Sequence, residues 1–327
     1  MTIYDIARQV GVSASTVSRV INKRPGINAK TREKVEKALS ESNFSINEAA
    51  KGLVNQSSRM IGILVSDIRN QHHIEGAYMI EQYFLEKGYC SLLFNAGSNK
   101  EGMAGYIKLL SSRRVDALVL IGSIFQNDEV MKAIGNYMQK VPVVMQNGIL
   151  DLPNVSSVVS NDEQGAYDAV VHLYNKGKRK IAFINNNDTP SNLKKLAGYR
   201  KACRESGMEN REILRCEDSF SGGAAATDEL VRMYPDVDAI LYSVDTLAAG
   251  GVRLLIDKGF TIPDDIALFG TDNSPFALIT NPRLSSVDTK LRELSNACAD
   301  ILSRAIEDRS YRKNIQIDCS LVLRETT

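Results

Sequence analysis

From Met60 onward the hydrophobic pattern of the chain changes period, and the new pattern runs through the same scheme twice. Short continuous apolar runs such as Ile61–Val65 and Ala117–Ile121 alternate with amphipathic helical stretches. Runs of that kind read as strands buried on both faces and covered by helices, which commits this part of the chain to parallel sheets. In the first half the expected strands are 61–65, 91–94, 117–121, 141–145 and a weak 155–159, with helices at 72–86, 101–111 and 129–138. In the second half strands are expected at 180–184, 213–215, 239–242, 266–269 and 284–287, with helices at 162–175, 193–206, 223–233 and 246–257. A further helix at 291–306 and a final alternating strand at 315–323 complete the pattern. Two doubly wound sheets hold ligands in the crevice at the carboxyl ends of their strands. The residues at those ends are Asp67 and Asn70, Asn185 to Asp188, Asp245 and Asp272. Each alone reads most simply as a helix cap; their joint placement makes them ligand candidates.

Residues before Met60 read as helices with no strand. Tyr4–Gln9 sets Ile6, Ala7 and Val10 on one face, Gly11-Val12-Ser13 breaks the helix, and Ser13 is suited to cap a second one over Ala14–Ile21. That helix turns Val17, Val20 and Ile21 inward and Ser15, Ser18, Arg19 and Asn22 outward. Asn28 can cap a third helix carrying Val35, Ala38 and Leu39, with Phe44 closing the base. Two short helices around a Gly-centred turn form a helix-turn-helix. A helix entering the major groove needs short donors and acceptors plus a long bidentate donor, which Ser15 and Arg19 supply. Ser13, Thr16 and the helix N-terminus suit phosphate positioning. The alternative is a small packing domain with a solvated polar face. Asn47–Leu53 is too short to hold a helix alone in water, and Leu53 could either wedge into a minor groove or pack on the next domain.

Charge supports this division. The whole chain has 40 Lys and Arg against 39 Asp and Glu, yet residues 1–60 carry ten against five. A basic head on a slightly acidic body fits a phosphate-binding module joined to a different kind of domain. No apolar run approaches the ~20 residues of a membrane helix, the N-terminus is polar from its second residue, and five scattered cysteines form no Cys-x-x-Cys pair. A cytoplasmic protein with free thiols is expected, with no metal site and no cofactor. Glycine-rich dinucleotide and phosphate loops and the Gly-x-Ser-x-Gly elbow are missing from the sequence. No catalytic residue is therefore expected. Of the three histidines, His72 and His73 diverge by roughly 100° on a helix, and His172 reads as structural. A periplasmic-type sugar-binding protein would share the body but would not need residues 1–55; an α/β enzyme would need a nucleophile or cofactor loop.

The order of motifs resembles the LacI/GalR family of bacterial transcription regulators over essentially the whole chain. The residues that carry the likeness are Thr2-Ile-Tyr-Asp-Ile-Ala-Arg8, Gly11-Val-Ser13, Thr16-Val-Ser-Arg-Val-Ile-Asn22, Thr31-Arg-Glu-Lys-Val35 and Asn47-x-x-Ala-x-x-Leu53, followed by Ile61-Gly-Ile-Leu-Val65, Arg114-Val-Asp-Ala-Leu118, Gly198-Tyr-Arg-Lys-Ala202, Ile262-Pro-Asp-Asp-Ile266 and Gly270-Thr-Asp-Asn273. The resemblance implies an all-α helix-turn-helix head (1–45), a hinge helix and linker (46–58), and an α/β body (59–327) of two doubly wound parallel-sheet subdomains, periplasmic binding protein type I-like. The subdomains would comprise about 59–159 plus 289–316, and about 160–288 plus 317–327. It implies a homodimer on a pseudo-palindromic double-stranded DNA operator, with Ala14, Ser15 and Arg19 reading bases. Ser13, Thr16, Ser18, Asn22, Asn28 and Asn47 would support them or contact phosphate, and Leu53 would wedge the minor groove. It places a small-molecule effector, a sugar or related metabolite, among Asp67, His72, His73, Ser160, Asn161, Lys195, Asp245 and Asp272. The chain departs from the family pattern at several points. Many sugar-responsive members have Asn-Pro and two aromatics where this chain has Asn70-Gln-His72-His73. Lys195 replaces a common ligand-clamping Arg and loses its fork geometry, and Thr289-Lys290 replaces a frequent Gln-Pro. The hinge has Ile46 in place of the usual Pro and contains Gly52. The imidazoles with Lys195 would also suit a sugar acid.

Overall fold

The computed structural model describes residues 2–21, 24–42, 57–213 and 215–327. Its contacts divide the chain into two units, Met1–Ser58 and Arg59–Thr327.

The first unit holds three helices, α1 (Ile3–Val10), α2 (Ala14–Ile21) and α3 (Ala29–Glu41). Helix α1 starts in a reciprocal capping box between Thr2 and Asp5 and stops at Gly11, whose φ of 73° suits a residue without Cβ. The Ser13 hydroxyl accepts from the Thr16 amide at 3.2 Å, and the Asn28 side chain accepts from the Thr31 amide at 2.7 Å, so both expected caps are in place. Ile6, Ala7, Val17, Val20, Val35 and Ala38 form the core, one apolar face from each helix. Phe44, expected to close its base, lies outside the described residues.

The second unit contains two six-stranded sheets. The first takes β1 (Met60–Val65), α4 (Gln71–Glu86), β2 (Cys90–Asn95), α5 (Lys100–Ser112), β3 (Ala117–Ile121), α6 (Asp128–Tyr137), β4 (Val143–Gln146) and β5 (Val155–Ser160). The second takes α7 (Asp162–Asn175), β6 (Ile181–Ile184), α8 (Pro190–Glu205), β7 (Glu212–Ile213), α9 (Phe220–Met233), β8 (Ala239–Tyr242), α10 (Asp245–Asp257), β9 (Ala267–Thr271), α11 (Pro275–Ile279) and β10 (Ser285–Asp288). The chain then returns through α12 (Leu291–Glu307), β11 (Asn314–Ile317) and β12 (Ser320–Val322). Strand orders are β2-β1-β3-β4-β5-β11 and β7-β6-β8-β9-β10-β12, one topology used twice. All pairings are parallel except β10 with β12.

The pleat divides the apolar residues of each strand between two helical layers. In the first sheet Leu64, Leu118, Leu120 and Met145 pack toward α5 and α6, while Ile61, Ile63, Val65, Val119 and Val144 pack toward α4 and α12. The second sheet does the same with α9 and α10 on one face and α7 and α8 on the other. Close helix packing there depends on Gly198: a Cβ on it would stand 2.0 Å from the Glu163 carbonyl oxygen of α7.

One reading from the sequence needs correction. The expected single strand 315–323 is two strands, because the backbone leaves the first sheet after Ile317 and joins the second at Ser320. The weak strand at 155–159 is buried along its whole length, since β4 and β11 flank it on both sides. Its serines read as polar, yet Ser156 accepts from the Lys313 amide. No helix among the described residues is long and apolar enough to cross a membrane.

Candidate functional site

On the head, the outer face of α2 collects the expected side chains. Ser15 and Arg19 are exposed, and Ser18 and Thr16 are half-buried. Ser13 Oγ lies 2.8 Å from Ser15 Oγ and 2.9 Å from Thr16 Oγ1, a small hydroxyl cluster at the start of the helix. The positive helix end meets that cluster, which favours an anion. Ala14 is half-buried against the head core, so only part of its methyl faces outward. Asn28 is exposed and already serves as the cap of α3. Asn22, Asn47 and Leu53 lie outside the described residues.

In the body, the strand orders put a topological switch point between β1 and β3 and another between β6 and β8. Loops from these four strand ends face one cavity of about 140 Å³, bordered by Ser66 and Asp67, Gly122 and Ser123, Asn186 and Asn187, and Val244. At about 10–15 Å³ per water by this measure, it has room for roughly ten waters. That is the scale of one small ligand.

Of the expected effector residues, Asp67, His72, His73, Lys195 and Asp272 line the cavity, as do Asn70, Asn186 and Asn187. Asn185, Asp188, Ser160, Asn161 and Asp245 do not. Asn185 is fully buried beneath the wall, and Asp188 turns outward to pair with Arg215. Ser160 and Asn161 belong to the first crossing between halves. Ser160 donates to Asp162 at 2.6 Å, and Asn161 donates to Asp318 at the third crossing at 2.9 Å. Asp245 sits beneath the 271–274 loop, accepting from the Ser286 hydroxyl and the Ser274 amide at 2.7 Å each. A Cβ on Gly270 would stand 2.1 Å from its Oδ1, which accounts for a glycine in that strand. Burial and the neighbouring Asp272 push the Asp245 carboxyl up to about 7.

The walls also contain residues that sequence reasoning missed: Ser123, Gln146, Asp162, Ser191, Asn192 and Asp218. Several bridge the two halves. The Ser191 amide donates to Ser123 Oγ at 3.0 Å across the cavity, and Asp218 lies within hydrogen-bonding reach of Asn70. His72 Nδ1 stands 3.7 Å from Asp272 Oδ1. That contact is not an ion pair, because burial lowers His72 to about 4 and His73 to about 3, leaving both imidazoles neutral near pH 7. Burial raises Asp272 to about 7. Lys195 is 5% exposed and donates to the Ser243 carbonyl at 2.8 Å. It is the only cationic side chain among the described residues on the wall.

The head matches a family model described as bacterial regulatory proteins, lacI family, over residues 2–47. The body matches the model of periplasmic binding proteins and the sugar binding domain of the LacI family over residues 58–325. The chain belongs to the LacI family. Among its curated relatives is an HTH-type transcriptional regulator of Lachnoclostridium phytofermentans (strain ATCC 700394 / DSM 18823 / ISDg), 32% identical over all of this chain and 99% of the relative. Among solved structures, the Lac repressor dimer bound to operator and the anti-inducer ONPF superposes with a TM-score of 0.91, at 25% identity, over 100% of this chain and 99% of that one. The transcriptional regulator CelR in complex with cellobiose gives a TM-score of 0.72 at 25% identity, covering both chains fully. The protein is thus a LacI-family transcriptional regulator with a helix-turn-helix head and a periplasmic-binding-protein-like body.

Proposed function

We propose that this LacI-family regulator is a cytoplasmic, non-catalytic repressor that binds a pseudo-palindromic operator as a homodimer and is switched by a small polar effector, a carbohydrate or derivative, in the cleft. The observation that carries the reading is the pairing of an exposed Ser15–Arg19 face on the head with a cavity framed by the strand ends of two doubly wound sheets. The Lac repressor and CelR complexes support the operator and the sugar respectively. Ser15 and Arg19, with the outer part of Ala14, read base edges; Ser13, Thr16, Ser18, Asn22, Asn28 and Asn47 position the head on phosphates; Leu53 wedges the central minor groove. Asp67, His72, His73, Lys195 and Asp272 contact the effector directly.

Three strand crossings join the halves, so closure on a ligand changes the angle between them. In a dimer that changes the spacing of the two hinge segments, and hinge ordering then gains or loses together with DNA binding. The ligand acts only through its differential affinity for the two forms, about 1–3 kcal/mol in typical couplings.

Selection of duplexes from a random pool by the full-length protein at two salt concentrations tests the reading. A pseudo-palindrome is expected; sequence-blind binding that vanishes at higher salt would reduce the head to a phosphate binder. With the selected site, Arg19→Ala should cost about 1–3 kcal/mol at one operator position. An equal loss on every sequence would demote Arg19 to a phosphate contact.

A further inference from the structure

We propose that the ligand of the cleft carries a cationic nitrogen, an amino derivative of a small polyol, and that its ammonium seats against Asp272 on the side facing His72. The proposal rests on the effector reading above and narrows its chemical class.

The charge on the wall is lopsided. Asp67 is answered by Arg69, which holds it through two nitrogens at 2.6 and 3.0 Å outside the cavity. That leaves Asp162, Asp218 and Asp272 facing Lys195 alone, because neither imidazole is protonated near neutrality. Asp162 is supplied with hydrogen bonds from Ser160 and Ser191, and Asp218 lies at the exposed mouth beside Asn186 and Asn70. Asp272 has no such donor. A neutral imidazole stands 3.7 Å from it, its side chain is 15% exposed, and its backbone is held at a φ of 103°. An L-residue is strained there, and such strain persists only where the surroundings enforce it. The result is a carboxyl delivered into the cavity without a partner. Thr289, which also lines the cavity, is 2% exposed with its hydroxyl unpartnered, and neither nitrogen of His72 has a hydrogen-bond partner.

A ligand hydroxyl could donate to Asp272 but would leave the wall's excess negative charge in place. An ammonium supplies both the donor and the neutralising charge, and in a desolvated cavity the second effect is the larger. The Thr289 hydroxyl and the His72 nitrogens then take up the polyol groups.

The test uses the full-length protein and three matched series at pH 7: glucose, glucosamine and glucuronate, with the corresponding galactose and mannose sets, by thermal shift and calorimetry. In at least one series the amine is expected to bind about tenfold or more tighter than its neutral parent, and the carboxylate not at all. Asp272→Asn should erase that preference while melting, without ligand, no lower than the wild type at pH 7.5, since the variant loses a buried charge and no hydrogen bond. That melting temperature separates lost recognition from lost folding. Equal or tighter binding of a neutral or acidic member overturns the assignment and leaves the effector reading standing. Preference surviving in Asp272→Asn also overturns it. Binding by none of the nine overturns it together with the sugar-like effector class, while operator selection still reports independently on the head.

Discussion

The two halves of the body share one strand order, yet they present different chemistry to the cavity between them. The first half contributes neutral groups: Ser66, Asn70, His72, His73, Ser123, Gln146 and Asn147, with Asp67 neutralised from outside. The second contributes Asp162, Asp218, Asp272 and Lys195. Topology therefore fixes where a ligand sits, and the residues at the strand ends fix what it is. Duplication of a fold leaves those residues free to diverge, because the sheets beneath are held by apolar packing that does not involve them.

The sharpest way to break this contrast is to remove the single cation from the charged wall. Lys195→Met should destabilise the body by about 1–3 kcal/mol, because it leaves the buried Ser243 carbonyl without its donor and removes the one cation facing Asp162, Asp218 and Asp272; urea denaturation at pH 8 measures it. A loss under about 1 kcal/mol would mean the wall is better solvated than its burial indicates.

Acid titration sets the halves against each other. Asp245 and Asp272 stand at about 7 against an ordinary 3.8, so their contribution to stability is full below about 4 and is lost as pH rises to about 7. His72 and His73 stand at about 4 and 3 against 6.5; their contribution is present above 6.5 and is lost as pH falls toward those values. Between pH 4 and 6.5 the two pairs oppose. Asp272→Asn removes one of the two carboxyls from the balance, so its melting temperature should fall more steeply than that of the wild type from pH 6.5 to 4.5. Parallel profiles would remove Asp272 from the account. The smallest effect concerns closure: Ser123→Ala deletes the acceptor of the Ser191 amide, a bond worth about 1 kcal/mol. Exchange of that amide should quicken about fivefold, and an unchanged rate would show that other contacts hold the halves together.

Much of the fold was legible because fully buried parallel strands are continuous apolar runs, whichever ligand they serve. What escaped did so for local reasons. The serines of β5 made an interior strand read as a weak one, and the break at Asp318-Cys319 is invisible in a pattern that keeps alternating across it. At the site, Asp245 and Asp272 look alike in sequence, each following a strand; one lies beneath a loop and the other is turned into the cavity by a left-handed backbone. Asp162 resembles any acid at a helix start, and Ser123 and Ser191 matter only because the halves meet. Contacts between distant segments have no signature along the chain.

The late return of the chain has a consequence for synthesis. Helix α12 covers Ile61, Ile63 and Val65 with Leu294, Ile301 and Leu302, and β11 closes the edge of the same sheet beside β5. These pieces emerge from the ribosome well over a hundred residues after β5, on the order of ten seconds at common elongation rates. For that interval α4 alone covers that face of the first sheet, and the second half waits still longer for β12. A prematurely ended polypeptide thus leaves both halves sticky and incomplete together, a substrate for chaperones and proteases, so the cell is spared a head that occupies DNA with no body able to answer a signal.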